Sequence, residues 1–258
     1  MHYQVKGSGK PLILIHGFFL DSTLWLNNID CLAKHFKVHA IDLWGFGYST
    51  YDPMAYSYKL FSEQLEAFMD ELNIEKAIIV GQSLGGGIGI RFCIKNWKRV
   101  EKLVLVNTAG LANQEPFGAR VFMCPLVGEL LLKLKINVLR RKILQEFYFY
   151  NMGLIDQELF ERLTRFHKVK GSVTSTLAVM RRKFADKLGR DIEQLASLSV
   201  PTLIVWGRQD KAIPLELGKR LHMILSNSKF CIIDQAGHVP NLEKPEEFND
   251  LLVEFLVD

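Results

Sequence analysis

Cysteine is scarce and scattered in this chain. Cys31, Cys93, Cys124 and Cys231 form no CxxC pair and no Cys/His spacing of the zinc type, so neither a disulfide framework nor a structural metal is expected. They lie in apolar surroundings such as Phe92-Cys93-Ile94 and Phe230-Cys231-Ile232, the setting of a small buried hydrophobe in a reducing compartment. Long apolar runs are lacking too, and none approaches the roughly 18 residues of a membrane span. The run Pro11 to Leu20 follows Lys6 and Lys10, but it contains His16 and Gly17 and has no small-residue cleavage site. It reads as a buried strand rather than a leader, and a cytoplasmic protein is expected. Nor is there a strong charge of either sign. A formal net charge of +4 without aromatic-basic interleaving argues against nucleic acid as a partner. Internal repeats and low-complexity tracts are absent.

What is present is enough apolar material, 48% of 258 residues, to bury a large core. Short β-branched runs recur with helical stretches between them, the order of a mostly parallel, doubly wound α/β sheet. The expected strands are Leu12 to Ile15, Val38 to Ile41, Ala77 to Val80, Leu103 to Val106, Thr202 to Val205 and Phe230 to Ile233, each apolar on nearly every residue, as in strands covered on both faces. An opening hairpin strand, His2 to Val5, is expected to turn at Gly7-Ser8-Gly9. Helices fit Ser22 to Lys34, Tyr58 to Leu72, Leu84 to Asn96, Leu215 to Leu225 and Pro245 to Val257. Between Leu111 and Ser199 the alternation stops and the sequence is helical, with stretches Val127 to Lys135, Val138 to Tyr150, Gln157 to His167 and Thr174 to Lys187. The expected division is therefore a core of residues 1–111 and 197–258, carrying an inserted all-helical cap of residues 112–196. That cap holds 15 Lys and Arg against 9 Asp and Glu, a net +6, and leaves the rest of the chain at −2. A solvated face is the ordinary explanation of such an excess.

The chemistry-bearing signal is Gly81-Gln82-Ser83-Leu84-Gly85, directly after an apolar strand and before a helix. A serine at so sharp a turn is strained, and flanking residues without a Cβ let the two arms meet. Ser83 is the candidate nucleophile. Serine is weakly nucleophilic at its own pKa and needs a histidine to take its proton and a carboxylate to orient that histidine. His238, in Gly237-His238-Val239-Pro240 just past the last strand, is the candidate base. Among the other histidines, His167 and His222 fall in expected helices, His35 and His39 flank an early strand, and His2 is terminal. Asp210, in the loop after Thr202 to Val205, is the candidate acid, with Asp234 and Asp42 as competitors. The loop after Leu103 to Val106 offers Asn107 and Thr108 but no carboxylate. Acyl transfer also needs two N–H donors for the oxyanion: the amide of Leu84, and that of Phe18 in His16-Gly17-Phe18-Phe19. His16 is expected to shape that loop rather than act as a second base.

These segments, with Asp42-Leu43-Trp44-Gly45-Phe46-Gly47-Tyr48-Ser49, Trp206-Gly207-Arg208-Gln209-Asp210 and Gly237 through Pro245, closely resemble the α/β-hydrolase superfamily. The branch they resemble bears a cap and contains carboxylesterases, meta-cleavage-product hydrolases, lactonases and cofactor-free haloperoxidases. The resemblance implies a Ser-His-Asp hydrolase without cofactor or metal. A serine nucleophile departs from the aspartate of haloalkane dehalogenases and epoxide hydrolases and from the cysteine of dienelactone hydrolases. Many carbon-carbon hydrolases carry a longer glycine-rich oxyanion loop and an aromatic after the histidine, where this chain has Gly17-Phe18-Phe19 and Val239.

Hydrolysis of a small carboxylic ester through an acyl-enzyme is the main expectation. Carbon-carbon bond hydrolysis of the meta-cleavage-product type is the runner-up, and a ligand receptor with the fold but little turnover is the alternative of another class. Phe19, Phe147 and Val239 are candidate pocket residues, and Phe147-Tyr148-Phe149-Tyr150 with Phe117, Phe122 and Met123 could line an apolar acyl pocket or form ordinary cap core. A monomer or homodimer is expected. Contact of the basic amphipathic stretch Leu131 to Lys142 with an anionic membrane is a subsidiary expectation.

Overall fold

The even residues of each central strand are apolar, and so are the odd ones, and a strand of that kind must be covered on both faces. In the computed structural model, which describes residues 1–52, 54–113, 120–121, 123–134, 137–181 and 188–257, the side chains of 166 and 167 excepted, this is what the sheet achieves. Its seven strands are β1 (Tyr3–Lys6), β2 (Pro11–Ile15), β3 (Lys37–Ile41), β4 (Ala77–Gln82), β5 (Val100–Val106), β6 (Thr202–Gly207) and β7 (Lys229–Ile233). They lie in the order β1-β3-β2-β4-β5-β6-β7, all parallel except β1. Ile13, Ile15, Ile79, Leu103, Leu105 and Ile204 face one apolar cluster, under α2 (Tyr58–Glu71) and α3 (Leu84–Asn96). Leu12, Leu14, Ile78, Val80, Val104, Val106, Leu203 and Val205 face the other, under α1 (Leu26–Leu32).

Three features differ from expectation. The first strand does not form a hairpin with β2 but pairs antiparallel with β3, Tyr3 opposite Ile41. The reason is that β2 already has parallel neighbours on both edges, β3 and β4, which leaves β1 only the outer edge of β3. The expected helix from Ser22 is one 3-10 turn, Ser22–Trp25, followed by α1. The third difference lies in the helical stretch between β5 and β6. Here the described residues form α4 (Val127–Lys133), α5 (Asn137–Ile143), α6 (Gln157–Thr164), α7 (Ser172–Arg181) and α8 (Gly189–Ala196), and no strand is found among them. The stretch expected as one helix from Val138 to Tyr150 changes pitch: after α5, Leu144–Tyr148 form a wide π turn in which Phe149 N–H bonds Leu144 C=O at 3.2 Å. No helix was expected at α8. It packs in the same apolar cluster as α3 through Ile192 and Leu195, and Asp191 receives both of its bonds from Arg91 at 2.8 and 2.9 Å.

The sequence of strands reverses direction between β2 and β4: β3 lies to one side of β2, and β4 to β7 to the other. The loops after β2 and β4 therefore diverge at the carboxyl edge of the sheet, where open α/β sheets leave a crevice. After β6 come α9 (Leu215–Ile224), β7, α10 (Pro240–Glu243) and α11 (Pro245–Val257). A buried amide cluster locks the last two to α1. Asn28 Nδ2 donates to Asn249 Oδ1 (2.9 Å) and Asn241 C=O (3.2 Å), while Asn241 Nδ2 donates to Leu24 C=O (3.0 Å) and Asn28 Oδ1 (3.3 Å). Replacing Asn28 by Ala leaves buried partners unpaired and is expected to lower unfolding free energy by about 1–3 kcal/mol. In urea, the midpoint should fall with an unchanged slope.

Candidate active site

Ser83 stands between β4 and α3 at φ 51°, ψ −113°, a conformation uncommon for a residue with a Cβ. Only glycine can flank it: a Cβ on Gly81 would lie 2.3 Å from Gly85 O, and one on Gly85 2.3 Å from Ile15 O. The strain is over-determined by neighbours. Ser83 N–H bonds Val106 C=O (2.9 Å), and Ser83 C=O accepts from Ala109 N–H (3.0 Å) and Gly87 N–H (3.2 Å). The serine is thus fixed against the end of β5.

The next strands bring the other two candidates together. His238 Nδ1 lies 2.8 Å from Asp210 Oδ2, with the side chains 4% and 0% exposed. The second oxygen, Oδ1, accepts from Ala212 N–H (2.8 Å) and Ile213 N–H (2.9 Å) in the acid's own loop. Asn107 Nδ2 adds a fourth bond, 2.6 Å to Oδ2, and reaches Gly237 C=O at 3.3 Å, while its Oδ1 accepts from Gly207 N–H at 3.2 Å. These partners fix the amide orientation, since its NH₂ faces two acceptors and its oxygen a donor. With both carboxylate oxygens accepting, Nδ1 of His238 carries the hydrogen. In the neutral ring that leaves Nε2 as the basic nitrogen. The competing carboxylates are engaged elsewhere. Asp234 is exposed and pairs with Arg208, and Asp42 accepts from Ser22 N–H (2.7 Å), Tyr48 N–H (2.8 Å) and His2 Nδ1 (2.7 Å).

The loop after β2 carries the candidate oxyanion donor. His16 is fully buried: its Nδ1–H donates to Gly17 C=O at 2.7 Å, and its Nε2 accepts Leu43 N–H at 3.0 Å. Burial lowers its pKa, against the opposing pull of Asp42, so the ring stays neutral with neither nitrogen available as a base. Holding the Gly17 carbonyl has a second effect. In a planar trans peptide the N–H of Phe18 points the opposite way, away from His16. Gly17 sits against Ser83, since a Cβ there would lie 3.1 Å from Ser83 Cβ and 2.1 Å from Gln82 Oε1. Leu84 begins α3, where an N–H has no partner within the helix and the dipole is positive.

Three further residues tie these elements together. Gln82 Nε2 donates to His238 C=O at 2.8 Å, tying the strand before Ser83 to the loop of His238. Glu243 accepts from Gly237 N–H (2.5 Å), Tyr150 N–H (2.8 Å) and Asn151 N–H (2.9 Å); burial pushes its carboxyl up while these donors pull it back. Tyr148, at the end of the π turn, accepts His238 N–H on its carbonyl (2.8 Å), sets its ring edge-on to the imidazole (5.5 Å) and donates its hydroxyl to Phe18 C=O (3.1 Å). Burial, then Asp210, raises its pKa and keeps it a phenol. The sequence shows Tyr148 only as one aromatic among four, and Asn107, described above, only as an amide in a loop without a carboxylate.

Phe18 and Phe19, the latter at φ 60°, pack against a small cluster of Leu132, Leu177 and Met180 that also takes in Met123 and Val173. Apolar helices α4 and α7 therefore roof the loop after β2. Phe147 is half-buried in the π turn, and Val239 is fully buried within the second core cluster. Phe117 and Phe122 lie outside the described residues. Among the described residues no group of His, Cys, Asp and Glu is arranged to hold a metal, and no helix is long and apolar enough to cross a membrane.

Comparison with known proteins agrees with this architecture. A family model described as alpha/beta hydrolase fold matches residues 10–245. The chain is 30% identical to 2-hydroxymuconate semialdehyde hydrolase of Pseudomonas sp. (strain CF600), over 98% of this chain and 89% of that protein. Among solved structures, a meta-cleavage product hydrolase from Pseudomonas fluorescens IP01 superposes with a TM-score of 0.85 at 28% identity, covering 99% of this chain and 93% of that one. A bromoperoxidase from Bacillus anthracis superposes at 0.87 with 25% identity, covering 99% and 95%.

Loss of one hydrogen bond to a charged group is worth about 1.5–3 kcal/mol. Asn107→Ala is therefore expected to lower kcat by roughly 10- to 100-fold with little change in KM. Tyr148→Phe removes one neutral bond and should lower kcat by only about 2- to 10-fold. Both are read in steady-state assays of whichever substrate the protein turns over; an Asn107→Ala enzyme at full kcat would show that Asp210 needs no such support.

Proposed function

The chain belongs to the α/β-hydrolase fold family, and from that premise we propose that it is a serine hydrolase of carboxylic esters with an apolar acyl group, working through an acyl-enzyme. The observation that carries the reading is the bonded pair Asp210–His238 on the same sheet edge as a strained Ser83. His238 Nε2 takes the proton from Ser83 Oγ as that oxygen attacks the ester carbonyl. The Phe18 and Leu84 amides hold the oxyanion, a task in which one donor is worth about 3 kcal/mol. Asp210 stabilises the imidazolium. His238 then protonates the leaving alcohol and draws a proton from water, whose attack frees the acid and restores the serine. Every proton is carried by His238, and the cycle requires no cofactor.

The choice of an uncharged, apolar acyl group rests on the roof. Leu132, Leu177, Met180, Met123 and Val173 meet Phe18 and Phe19, and two described arginines are already engaged. Arg181 makes a bidentate pair with Glu129 (2.7 and 2.8 Å), and Arg165 donates to Asp21 at 2.9 Å. A second reading, carbon-carbon bond hydrolysis, is favoured by the 30% identity to 2-hydroxymuconate semialdehyde hydrolase. A carboxylate-bearing substrate of that kind would have to displace one of those pairs or use another cation.

The test is a panel of p-nitrophenyl esters of graded acyl length, assayed beside 2-hydroxymuconate semialdehyde. Multiple turnover on the esters is expected, with Ser83→Ala lowering kcat by more than about 10⁴-fold. Ester turnover that survives Ser83→Ala would overturn the nucleophile. Faster cleavage of the semialdehyde would favour the second reading, and one covalent event without turnover would point to a receptor.

A further inference from the structure

A helix on a protein surface ordinarily buries one apolar stripe and shows water a polar face. The sequence of α4, Val-Gly-Glu-Leu-Leu-Leu-Lys, does not allow that arrangement. Gly128 and Leu132 are buried, and Leu132 joins the cluster over Phe18 and Phe19. Two residues on, about 200° around the helix, Leu130 and Leu134 lie on the opposite side, 59% and 54% exposed, and Leu126, just before the helix at φ 67°, is 82% exposed. Val138, at the start of α5, is 79% exposed. Scattered surface leucines need no explanation, but four exposed aliphatics within thirteen residues are a patch.

The charge around the patch says what it meets. Residues 120–142 hold six Lys and Arg and one acid, Glu129, a net +5 in sequence; Arg141 is held against Ile155 C=O and the Phe160 ring and Lys142 lies 3.7 Å from Glu146, while Lys133 is exposed on α4 itself. Glu129 is turned to Arg181. Two copies of such a surface repel each other. An anionic bilayer attracts it, at about 1 kcal/mol, or about fivefold in partitioning, for each cation near the lipid, and takes up the aliphatic side chains as amphipathic surface helices are taken up.

We propose that the outer face of α4 and the start of α5 docks on anionic lipid surfaces. Docked in this way, α4 separates the bilayer from the Phe18–Phe19 loop by a single helix of about 10 Å diameter. An apolar ester dissolved in the bilayer would then lie one helix away from that loop. This consequence rests on the ester reading, but the docking itself does not.

Sucrose-loaded vesicles of phosphatidylcholine alone, or with about one-third phosphatidylglycerol, separate the two at low salt. The protein, and equally Ser83→Ala, is expected to sediment with the anionic vesicles at least about tenfold more strongly than with the neutral ones. Lys133→Gln with Lys142→Gln should weaken binding by about tenfold or more. The triple variant Leu130→Ser, Leu134→Ser, Val138→Ser should lose it while keeping turnover of a short, soluble p-nitrophenyl ester, a sign that it is folded. No sedimentation with either vesicle, or equal sedimentation with both, would overturn the proposal. So would a dimer in analytical ultracentrifugation that the triple variant abolishes, since a second copy would then own the patch.

Discussion

The candidate site depends on one buried carboxylate. Asp210 is taken wholly out of water, which is expensive for a charged group unless its lone pairs are filled. Four bonds fill them: two amides of its own loop, the Asn107 side chain and His238. Because three of those donors are rigidly placed, the fourth, His238 Nδ1, has its position and its hydrogen decided for it. The chemistry available to Nε2 is thus set two bonds away, at the ends of β5 and β6.

Around that carboxylate the same logic repeats for the backbone. Ser83 and Phe19 both hold left-handed conformations, each of the kind that costs about 1–3 kcal/mol, and each is braced from several sides. Two side chains do much of the bracing of the loop after β2: His16 grips the carbonyl of Gly17, and Tyr148 that of Phe18. Tyr148 can do so because the helix carrying it widens into a π turn and releases a carbonyl to His238. The helical segment between β5 and β6 is therefore wired to both His238 and the loop after β2, besides covering that loop.

The strands, the turn around Ser83 and the order of the three candidate residues were legible because each is written locally, in apolar runs, in glycines and in position after a strand. The partner of β1 was not, since pairing at a sheet edge depends on which edges other strands have already taken. The π turn was not, because Leu144 to Tyr148 has the same apolar content whether it winds in four-residue or five-residue steps. Asn107 illustrates a third limit. As a side chain it is an ordinary amide, and its importance comes from Asp210, more than a hundred residues on and brought beside it by the β5–β6 register. Of the outward leucines around α4, only Leu134 fell within the basic amphipathic stretch expected from Leu131 to Lys142, and only burial shows that Leu126 and Leu130 are exposed while Leu132 packs inward.

The central claim is that Asp210 holds His238 as the tautomer with hydrogen on Nδ1, leaving Nε2 to accept a proton. Nitrogen-15 NMR of protein labelled at histidine tests it directly at neutral pH, with His238→Gln to assign the signal. The account predicts a neutral ring protonated at Nδ1 and unprotonated at Nε2. A His238 ring protonated at Nε2 in the resting protein would contradict it.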